Sequence, residues 1–380
     1  MISSFTFYTP TKIVFGRGRL QELGNYVSRL GDKALLVTGR VFARKHGYIE
    51  LLTSNMENSG VKVSVFDKVE ENPSIKTVES GSSLSRSLNI NVVVGFGGGS
   101  AMDAAKAIAL LSAKGGSVRG YVHPYVVEDE VLPIIAIPTT CGTGSEVTRY
   151  ALLSDLTAKR KVVVAGYPLI PKIAIVDPDV LKHLPVSLTV YTALDALSHA
   201  IEAYWSKSSQ PLSDMFALES IKIILSDLRE ASRKPEARDS LHYASLLGGL
   251  AINCAGTTVI HGLGYYLTTH HGIHHGLANS IFLPLAVKFN APEVPDKILR
   301  LVEHLGFEYE GFNEAVNKLV EEIVKLETEL KVPTNLRSLG VGGDEVDAFI
   351  ANTMQYRRNL ENNPRAVSEE DVRRFFTDAF

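Results

Sequence analysis

Runs of β-branched residues crowd the first half of this chain and almost vanish from the second, and this asymmetry constrains the fold most. Before residue 177 the runs alternate with segments of helical periodicity. Short strands separated by helices in this way are typical of a parallel, doubly wound sheet. We predict sheet strands at Lys33–Thr38, Val61–Phe66, Asn91–Phe96, Pro133–Ile137 and Lys172–Val176, and a hairpin from Arg149–Leu153 and Lys161–Ala165.

Beyond residue 180 the pattern is helical. We therefore predict two domains, an α/β domain over residues 1–180 and an all-helical domain over residues 181–380. The predicted helices of the first domain include Phe42–Ser59, Ile75–Leu88 and Ser100–Ser112. Those of the second include Ser187–Trp205, Leu212–Ser232, Ser240–Cys254, Leu277–Phe289, Asp296–His304, Asn313–Leu330 and Asp344–Gln355.

The composition argues against several classes of partner. Apolar residues make up 45% of the chain, and a formal net charge of −3 provides no basic surface for nucleic acid or an anionic membrane. Cys141 and Cys254 lie too far apart to form a CxxC metal site or a disulfide framework. We see no signal peptide, and no apolar stretch approaches the ~20 residues of a membrane span, so we expect a cytoplasmic protein.

Two residues of the second domain have the spacing of a metal-binding pair. Asp195 and His199 lie four residues apart in the segment Leu188–Trp205, which contains no Gly or Pro. On a helix this spacing places a carboxylate and an imidazole on one face, one turn apart. Downstream, five of the 11 histidines fall in one short stretch, at His261, His270, His271, His274 and His275. The pair and the cluster together indicate a metal site, and the pattern leaves open which of the five histidines take part.

A glycine-rich loop, Gly97–Gly98–Gly99–Ser100, joins a predicted strand to a predicted helix. Glycines let backbone N–H groups approach a phosphate, and the helix N-terminus adds its own unpaired N–H groups. Ser100 and Asp103 also fit the Ser-x-x-Asp form of a capping box, a structural interpretation that is compatible with phosphate binding. The loop departs from G-x-G-x-x-G and follows the third predicted strand, so it predicts phosphate binding without a standard Rossmann placement.

A second loop, residues 138–146, follows the next predicted strand and is rich in hydroxyl groups and glycine. Such a loop can form an ordinary tight turn, or it can bind the ribose and amide groups of a dinucleotide. Cys141 lies within it. Because no histidine lies nearby in sequence to activate the thiol, we interpret Cys141 as a buried residue without a chemical role.

In order along the chain, these motifs resemble the iron-containing (group III) alcohol dehydrogenases. The resemblance is nearly end to end and is specific for the family, not for a substrate. It implies hydride transfer between NAD(P)(H) and a small alcohol or aldehyde, at a metal site in a cleft between the domains of a homodimer. The motifs are Pro10–Gly18, Gly97–Ser100, Thr140-x-Gly142–Thr143–Gly144–Ser145–Glu146, Asp195–Ala203, His261–Gly264 and His275–Asn279.

The resemblance also implies which residues bind the metal and the cofactor. The implied metal ligands are Asp195, His199, His261 and His275. Fe²⁺ is the expected metal and Zn²⁺ the alternative, because four protein ligands would close a tetrahedral zinc site whereas iron accepts further ligands. The implied cofactor-binding residues are Gly97, Gly98, Gly99, Ser100, Asp103, Thr139, Thr140, Thr143 and Lys161.

Two positions depart from the family pattern or vary within it. Many members carry a histidine for proton relay four residues after the third ligand, where this chain has Tyr265. Tyrosine does not titrate near neutral pH, so we predict that His271 relays the proton, with Tyr265 as the other candidate and His274 as a partly exposed residue without a role.

The second position is Gly39, which in this family lies near the adenosine ribose. NAD-specific relatives tend to carry Asp there, and its carboxylate repels a 2′-phosphate. Gly39 removes that obstacle, and Arg40, followed by Arg44 and Lys45, provides positive charge. We predict that NADP(H) is preferred over NAD(H).

Three alternatives remain at the level of sequence. A lyase of the dehydroquinate-synthase type shares the architecture but needs several Lys and Arg to hold a phosphorylated acid. Glycerol dehydrogenase relatives use zinc and fewer histidines than this chain offers. A non-catalytic nucleotide-binding protein with a structural metal is the third alternative.

Overall fold

The computed structural model describes residues 4–380, which divide into two compact units. The α/β unit comprises residues 8–140 and 144–184. The helical unit comprises residues 185–380 together with the short segments 4–7 and 141–143. The sequence prediction places both short segments in the first domain. Their membership of the helical unit depends on tertiary contacts, which local periodicity does not show.

The α/β unit is built on a six-stranded sheet in which every strand pairing is parallel. The predicted strands and the antiparallel hairpin are confirmed, with small shifts at their ends. The spatial order of the sheet is β1-β8-β5-β4-β2-β3. The strands are β1 (Lys12–Phe15), β2 (Lys33–Gly39), β3 (Lys62–Val69), β4 (Val92–Gly97), β5 (Ile134–Pro138) and β8 (Ile173–Val176), and the hairpin strands are β6 (Tyr150–Asp155) and β7 (Arg160–Ala165).

Strand β1 was not predicted. It lies at one edge of the sheet, pairs only with β8 among the described strands, and buries a single residue, Val14. So short an edge strand carries no hydrophobic alternation that a sequence pattern could detect. Because β1 comes first in the chain, the glycine loop after β4 follows the fourth strand and not the third.

The order of the strands defines a binding crevice. From β2 the chain passes outward to β3, and it then returns to place β4 on the opposite side of β2. Ligands of open α/β sheets bind outside the carboxyl ends of the strands at such a switch point. Gly39 ends β2 and Gly97 ends β4, so both predicted cofactor segments lie at this point.

The helices of the α/β unit match the prediction except at two places, one of which is the short helix Leu23–Val27 that was not predicted. The predicted helix Phe42–Ser59 is two helices, because Gly47 adopts a left-handed conformation with φ of 72° and interrupts the backbone. The helices are α1 (Leu23–Val27), α2 (Phe42–Lys45), α3 (Tyr48–Glu57), α4 (Ile75–Ser87) and α5 (Gly99–Lys114). The buried side of α5 packs on the sheet in the core of this unit.

The helical unit is organised around α6 (Val186–Trp205), which packs against four other helices and is buried at every residue from 192 to 205. The predicted helix Leu277–Phe289 is two helices, with Pro284 in the first turn of the second. The remaining helices are α7 (Pro211–Arg233), α8 (Asp239–Ala255), α9 (Val259–His270), α10 (His275–Ser280), α11 (Leu283–Asn290), α12 (Pro295–His304), α13 (Phe312–Glu329), α14 (Val346–Thr353), α15 (Arg357–Asn362) and α16 (Glu369–Ala379). Across residues 4–380 no single helix meets the length and hydropathy criteria of a membrane span, although the bent pair Pro235–Ala255 and Val259–His270 meets them together.

One ionisable group lies in the core of the helical unit away from the histidines. Glu327 on α13 is 2% exposed, and its Oε1 has no hydrogen-bond partner among the described residues. Burial raises the pKa of this carboxyl from 4.5 to about 8. The folded protein therefore holds Glu327 neutral at pH values where the unfolded chain ionises it.

We expect Glu327→Gln to remove a pH-dependent loss of stability. As pH rises from about 4.5 to about 8, the Glu327 carboxyl releases its proton in the unfolded state and keeps it in the folded state. The free energy of unfolding of the parent protein therefore falls, by at most about 1.4 kcal/mol per pH unit. The melting temperature of Glu327→Gln should match that of the parent at pH 4.5 and exceed it at pH 8. Glu321→Gln, at an exposed position of the same helix, is the control. An equal change of melting temperature at both pH values would contradict the assignment.

Candidate functional site

Helix α6 brings three polar side chains onto one buried stripe. Asp195, His199 and Glu202 follow one another at offsets of four and three residues, so their side chains lie on the same face. His199 Nδ1 lies 4.0 Å from Asp195 Oδ2. All three side chains are nearly inaccessible to solvent, so each needs a polar partner within the protein.

Helices α9 and α10 complete the cluster. His261 Nε2 lies 3.8 Å from Asp195 Oδ1, and the rings of His261 and His199 stack with centroids 4.5 Å apart. One ligand atom from each of Asp195, His199 and His261 lies within 4.8 Å of the others. His275, the first residue of α10, places its Nε2 3.9 Å from Asp195 Oδ1. The structure thus brings the three implied histidine ligands close to the Asp195 carboxylate.

Neighbouring acceptors fix the orientation of two imidazoles. His261 Nδ1 donates to the Glu202 carboxylate, whose Oε1 also accepts from the backbone N–H groups of Thr258 (2.9 Å) and His261 (3.2 Å). His199 Nδ1 lies 3.2 Å from the carbonyl oxygen of Gly142, which can only accept. Since Nδ1 carries the proton in both rings, each Nε2 keeps its lone pair for another partner.

The local electrostatics favour an ionised Asp195 carboxylate and shift the pKa values of His199 and His261 in opposite directions. Burial alone would raise the pKa of Asp195, but His199, His275 and His261 outweigh it and hold this pKa at about 2. Burial lowers the pKa of His199 despite the nearby Asp195. The pKa of His261 would also fall on burial, but the Glu202 carboxylate raises it above the ordinary value.

This donor set fits a first-row transition metal. Three imidazole nitrogens and one carboxylate oxygen favour Fe²⁺ or Zn²⁺ over Mg²⁺ or Ca²⁺, which prefer all-oxygen sites. Metal-ligating histidines usually bond through their other ring nitrogen to a carboxylate or a backbone carbonyl, as His261 does to Glu202 and His199 does to Gly142.

Two glycines allow the backbone to approach α6 closely enough to form the cluster. A Cβ at Gly276 would overlap the carbonyl oxygen of Tyr191, so only glycine lets α10 bring His275 to Asp195. A Cβ at Gly142 would lie 2.9 Å from both Cβ and the carbonyl oxygen of Thr192. The segment 141–143 therefore packs on α6 only because residue 142 has no side chain.

The two predicted relay residues lie in different surroundings. Tyr265 is buried, and its ring stacks on His275 at 5.6 Å between centroids with an interplanar angle of 9°. Burial raises the pKa of Tyr265 far above its ordinary value. His271 Nε2 instead lies 2.7 Å from Glu345, which also accepts from the hydroxyl of Tyr266 at 2.7 Å.

His274 has a structural role that the sequence prediction did not give it. Its Nδ1 accepts from the backbone N–H of Gly276 at 3.3 Å and so caps the N-terminus of α10. The contact was not predicted from the sequence, and it leaves the prediction that His274 takes no part in proton relay as a prediction. The expectation that it is partly exposed is confirmed.

The glycine loop of the α/β unit is sterically constrained. Gly97 has φ of 152°, and a Cβ there would lie 2.7 Å from Ala101 Cβ. Thr139 donates its backbone N–H to the Gly97 carbonyl at 3.0 Å, and Thr140 packs beside Gly98. Gly98 is the N-cap of α5, so the backbone N–H groups of its first turn, which begins with Gly99, lie at the switch point.

The capping-box interpretation of Ser100 and Asp103 is wrong. Ser100 lies inside the first turn of α5, and its hydroxyl accepts from the backbone N–H of Asn72 at 3.1 Å. Asp103 accepts from the Ser145 hydroxyl at 2.6 Å and from the backbone N–H of Leu152 at 3.0 Å. Its carboxylate thus holds the second loop and the hairpin.

Lys161 and Asn72 form a polar pair at this end of the sheet. Lys161 Nζ donates to Asn72 Oδ1 at 2.6 Å and to Ser154 Oγ at 3.3 Å. Burial lowers the pKa of Lys161 to about 8. Asn72 adopts φ of 56°, an uncommon conformation for a residue other than glycine. Thr143 belongs to the helical unit and is not part of this arrangement.

Ion pairs lie close to Gly39, the residue that is predicted to lie near the adenosine ribose of the cofactor. A Cβ at Gly39 would meet only the carbonyl oxygen of Val69, at 3.8 Å, so there is room for a side chain. Arg40 donates to the Lys68 carbonyl at 3.1 Å and to Glu70 at 3.3 Å. Arg44 pairs with Asp67.

Sequence reasoning missed Glu202, Gly142 and Asn72. The signal for Glu202 was present, because it extends the Asp195–His199 stripe by one more helical turn. Asn72 was detectable as a polar residue just after a strand, at the carboxyl edge of the sheet. Gly142 gave no signal, since the role of its carbonyl depends on how the segment 141–143 packs.

We expect His275→Ala to lose bound metal and His270→Ala to keep it. His275 contributes one of four converging donors, whereas His270 is exposed and bonds within its own helix. Elemental analysis of both purified variants is the measurement. Equal metal loss in the two would contradict the placement of His275 in the site.

Comparisons with known proteins agree with this arrangement. The family model described as "Iron-containing alcohol dehydrogenase" matches residues 10–178, and "Fe-containing alcohol dehydrogenase family, C-terminal" matches residues 189–380. The NAD-dependent methanol dehydrogenase of Bacillus methanolicus is 31% identical, over 98% of this chain and 99% of its own. The NADPH-dependent butanol dehydrogenase of Clostridium saccharobutylicum is 29% identical, over 97% of this chain and 96% of its own.

A solved structure of 1,3-propanediol oxidoreductase superposes with a TM-score of 0.95 at 32% sequence identity, covering 100% of both chains. The matching families, the relatives and this fold together cover both units. The chain belongs to the iron-containing alcohol dehydrogenase family and is an oxidoreductase of the alcohol dehydrogenase class.

Proposed function

We propose that this protein transfers hydride between NADP(H), used in preference to NAD(H), and a small alcohol or aldehyde. The observation that carries the proposal is the convergence of three imidazoles on one buried carboxylate. The Nδ1 atoms of His199 and His261 bond to Gly142 and Glu202, which leaves their Nε2 atoms available. Family membership supports the class of reaction. The substrate is expected to be small, as the names of the relatives suggest for those proteins.

Asp195, His199, His261 and His275 would hold the metal, expected to be Fe²⁺ with Zn²⁺ as the alternative. A bound divalent ion supplies Lewis-acid polarisation of the substrate oxygen. The protein contributes a fixed, buried set of donors, because Glu202 and Gly142 hold two of the rings in one orientation. Pre-set ligands of this kind lower the reorganisation that metal binding requires.

The cofactor would bind at the switch point of the sheet. The nicotinamide carries the hydride, and the protein must hold its pyrophosphate and ribose. The N–H groups at the start of α5, beginning with Gly98, Gly99 and Ser100, would bind the pyrophosphate. Thr139, Thr140 and Lys161 would contact the rest of the cofactor, and Thr143 is proposed with them on the family resemblance alone. Asp103 is proposed to act indirectly, by holding Ser145 and Leu152.

The preference for NADP(H) is argued from the end of β2. Relatives use either cofactor by name, so family membership leaves the preference open. Gly39 offers no carboxylate to repel a 2′-phosphate, and Arg40 is well exposed. Because Arg40 and Arg44 already pair with Glu70 and Asp67, a phosphate would share them with these carboxylates. We therefore expect a moderate preference of about tenfold, equivalent to about 1.4 kcal/mol.

The lyase alternative is poorly supported. A phosphorylated acid needs several cationic side chains to bind it. Three cationic side chains within residues 195–275 are already bonded to other groups of the protein. Arg229 pairs with Glu322 and Glu329, Lys234 pairs with Glu230, and Arg238 is buried against the carbonyl of Ala231.

We keep His271 as the proposed relay residue, with Tyr265 as the other candidate. Glu345 orients the His271 imidazole, as a carboxylate commonly does for a general base. Tyr265 lies against two of the ligand rings, but its raised pKa keeps the phenol protonated near neutral pH. We assign the ring of Tyr265 a packing role.

A homodimer and a cytoplasmic location are also proposed. The edge strand β1 exposes apolar side chains, Ile13 and Phe15, which a second copy could cover. Two widely separated cysteines form no disulfide framework, which is typical of a protein from a reducing compartment.

The cofactor assignment is tested with steady-state assays under anaerobic conditions with Fe²⁺, using a panel of small aldehydes and both reduced cofactors. We expect kcat/KM to favour NADPH about tenfold, and Gly39→Asp to reverse the ratio because its carboxylate repels the 2′-phosphate. Arg40→Ala should weaken NADPH only. Lys68→Ala, which removes a nearby exposed charge, is the control. A parent enzyme that favours NADH would contradict the preference, and inactivity with every aldehyde would contradict the proposed reaction.

The relay is tested with His271→Ala, Tyr265→Phe and, as the control, His270→Ala. Loss of a general acid–base group typically lowers a rate by about 10²–10⁴-fold, so kcat of His271→Ala should fall by about that factor. Tyr265→Phe keeps the stacked ring and should retain most activity. A larger loss in Tyr265→Phe than in His271→Ala would transfer the role to the tyrosine, and no loss in either would remove both from the proton path.

A further inference from the structure

Asn279 lies at the point where the proposed ligand atoms converge. It follows His275 by four residues on α10, so the two side chains share a face, and it is fully buried. Its amide nitrogen Nδ2 lies 2.9 Å from Asp195 Oδ1. The same nitrogen lies 3.2 Å from Nε2 of His261 and 3.2 Å from Nε2 of His275. One amide group therefore contacts three of the four proposed ligands.

The chemistry of these neighbours fixes the orientation of the amide. The Asp195 carboxylate oxygen accepts from Asn279 Nδ2 at 2.9 Å, so the group that faces it is the NH₂ end. His261 donates through Nδ1 to Glu202, so its Nε2 is also an acceptor. The two hydrogens of the amide NH₂ can be donated to Asp195 Oδ1 and His261 Nε2, whereas a carbonyl oxygen in its place would meet only acceptors.

The other end of the amide carries an energetic cost. Asn279 Oδ1 is buried, and across residues 4–380 it finds no hydrogen-bond partner. It points at Gly264, where a Cβ would overlap it. A buried acceptor left without a bond costs about 1–3 kcal/mol, so a side chain that only filled space here would be better apolar. The cost is consistent with a function for the NH₂ end.

We propose that Asn279 is a positioning residue of the metal centre, which gathers Asp195, His261 and His275 before the ion binds. This inference rests on the proposed ligand set. The amide fixes Asp195 Oδ1 and prevents the carboxylate from rotating away. It also donates to Nε2 of His261, which is buried in the metal-free protein. Metal binding then starts from ligands that are already oriented.

The test is a titration of metal-free protein with Co²⁺ in the presence of a competing chelator, read from the visible absorption of bound Co²⁺. Loss of a residue that orients ligands typically weakens metal affinity about 10–100-fold, and we expect a loss of this size for Asn279→Ala. Ser280→Ala is the matched control, because Ser280 is the buried neighbour on α10 and bonds only to the Leu277 carbonyl in its own helix. The control should bind Co²⁺ as the parent does.

A second variant moves the amide without removing it. Gly264→Ala places a methyl group against Asn279 Oδ1 and should reproduce part of the affinity loss. The rise in melting temperature that Co²⁺ produces should shrink in both variants, which separates a weaker site from a general loss of stability.

The outcomes separate this inference from the proposed function. If His261→Ala loses Co²⁺ while Asn279→Ala binds it with parental affinity and spectrum, the positioning role is wrong and the ligand set stands. The positioning role is also wrong, and the ligand set still stands, if Asn279→Ala loses no more Co²⁺ affinity than Ser280→Ala does. If His261→Ala binds Co²⁺ as the parent does, the ligand set itself is wrong and the inference falls with it.

Discussion

The helical unit depends on the compensation of one buried negative charge. Asp195 lies in the middle of α6, where it is 3% exposed, and burial by itself would favour the protonated acid. The three surrounding imidazoles reverse that tendency and keep the carboxylate ionised. Removing one partner of a buried charge is usually strongly destabilising, because the other is left uncompensated. The contacts of α9 and α10 with Asp195, made by His261 and His275, thus belong to the candidate site itself.

Backbone contacts fix how closely α10 and the segment 141–143 approach α6. At Gly276 and Gly142 the chain meets α6 too closely for any side chain, so the distance between the elements is fixed by the backbone and not by flexible side chains. Gly142 also provides the carbonyl that orients His199. In the α/β unit the glycine loop follows the same principle, since Gly97 packs against Ala101 where a Cβ would not fit. Both proposed binding regions thus rest on close backbone approach.

The parts of the fold and site that sequence could predict are those set by local geometry. The strands of the α/β unit and the hairpin follow from short runs of β-branched residues, and the pairing of Asp195 with His199 follows from the helical period of about 3.6 residues. Family resemblance, and not spacing, selected His275 among five candidate histidines. Edge strand β1 was missed because only Val14 is buried, and Phe42–Ser59 was predicted as one helix because the conformation of Gly47 is not visible in a hydrophobic pattern. Contacts across the fold were beyond prediction, as the bonds of Asp103 to Ser145 and Leu152 illustrate.

The central claim is that Asp195, His199, His261 and His275 together hold one transition-metal ion. An anomalous difference map at the iron absorption edge, from crystals grown anaerobically with Fe²⁺, tests it most directly. The account predicts a single strong peak within bonding distance of the Asp195 carboxylate and of one nitrogen from each of the three histidines. A peak elsewhere in the molecule, or a peak coordinated without Asp195, would contradict it.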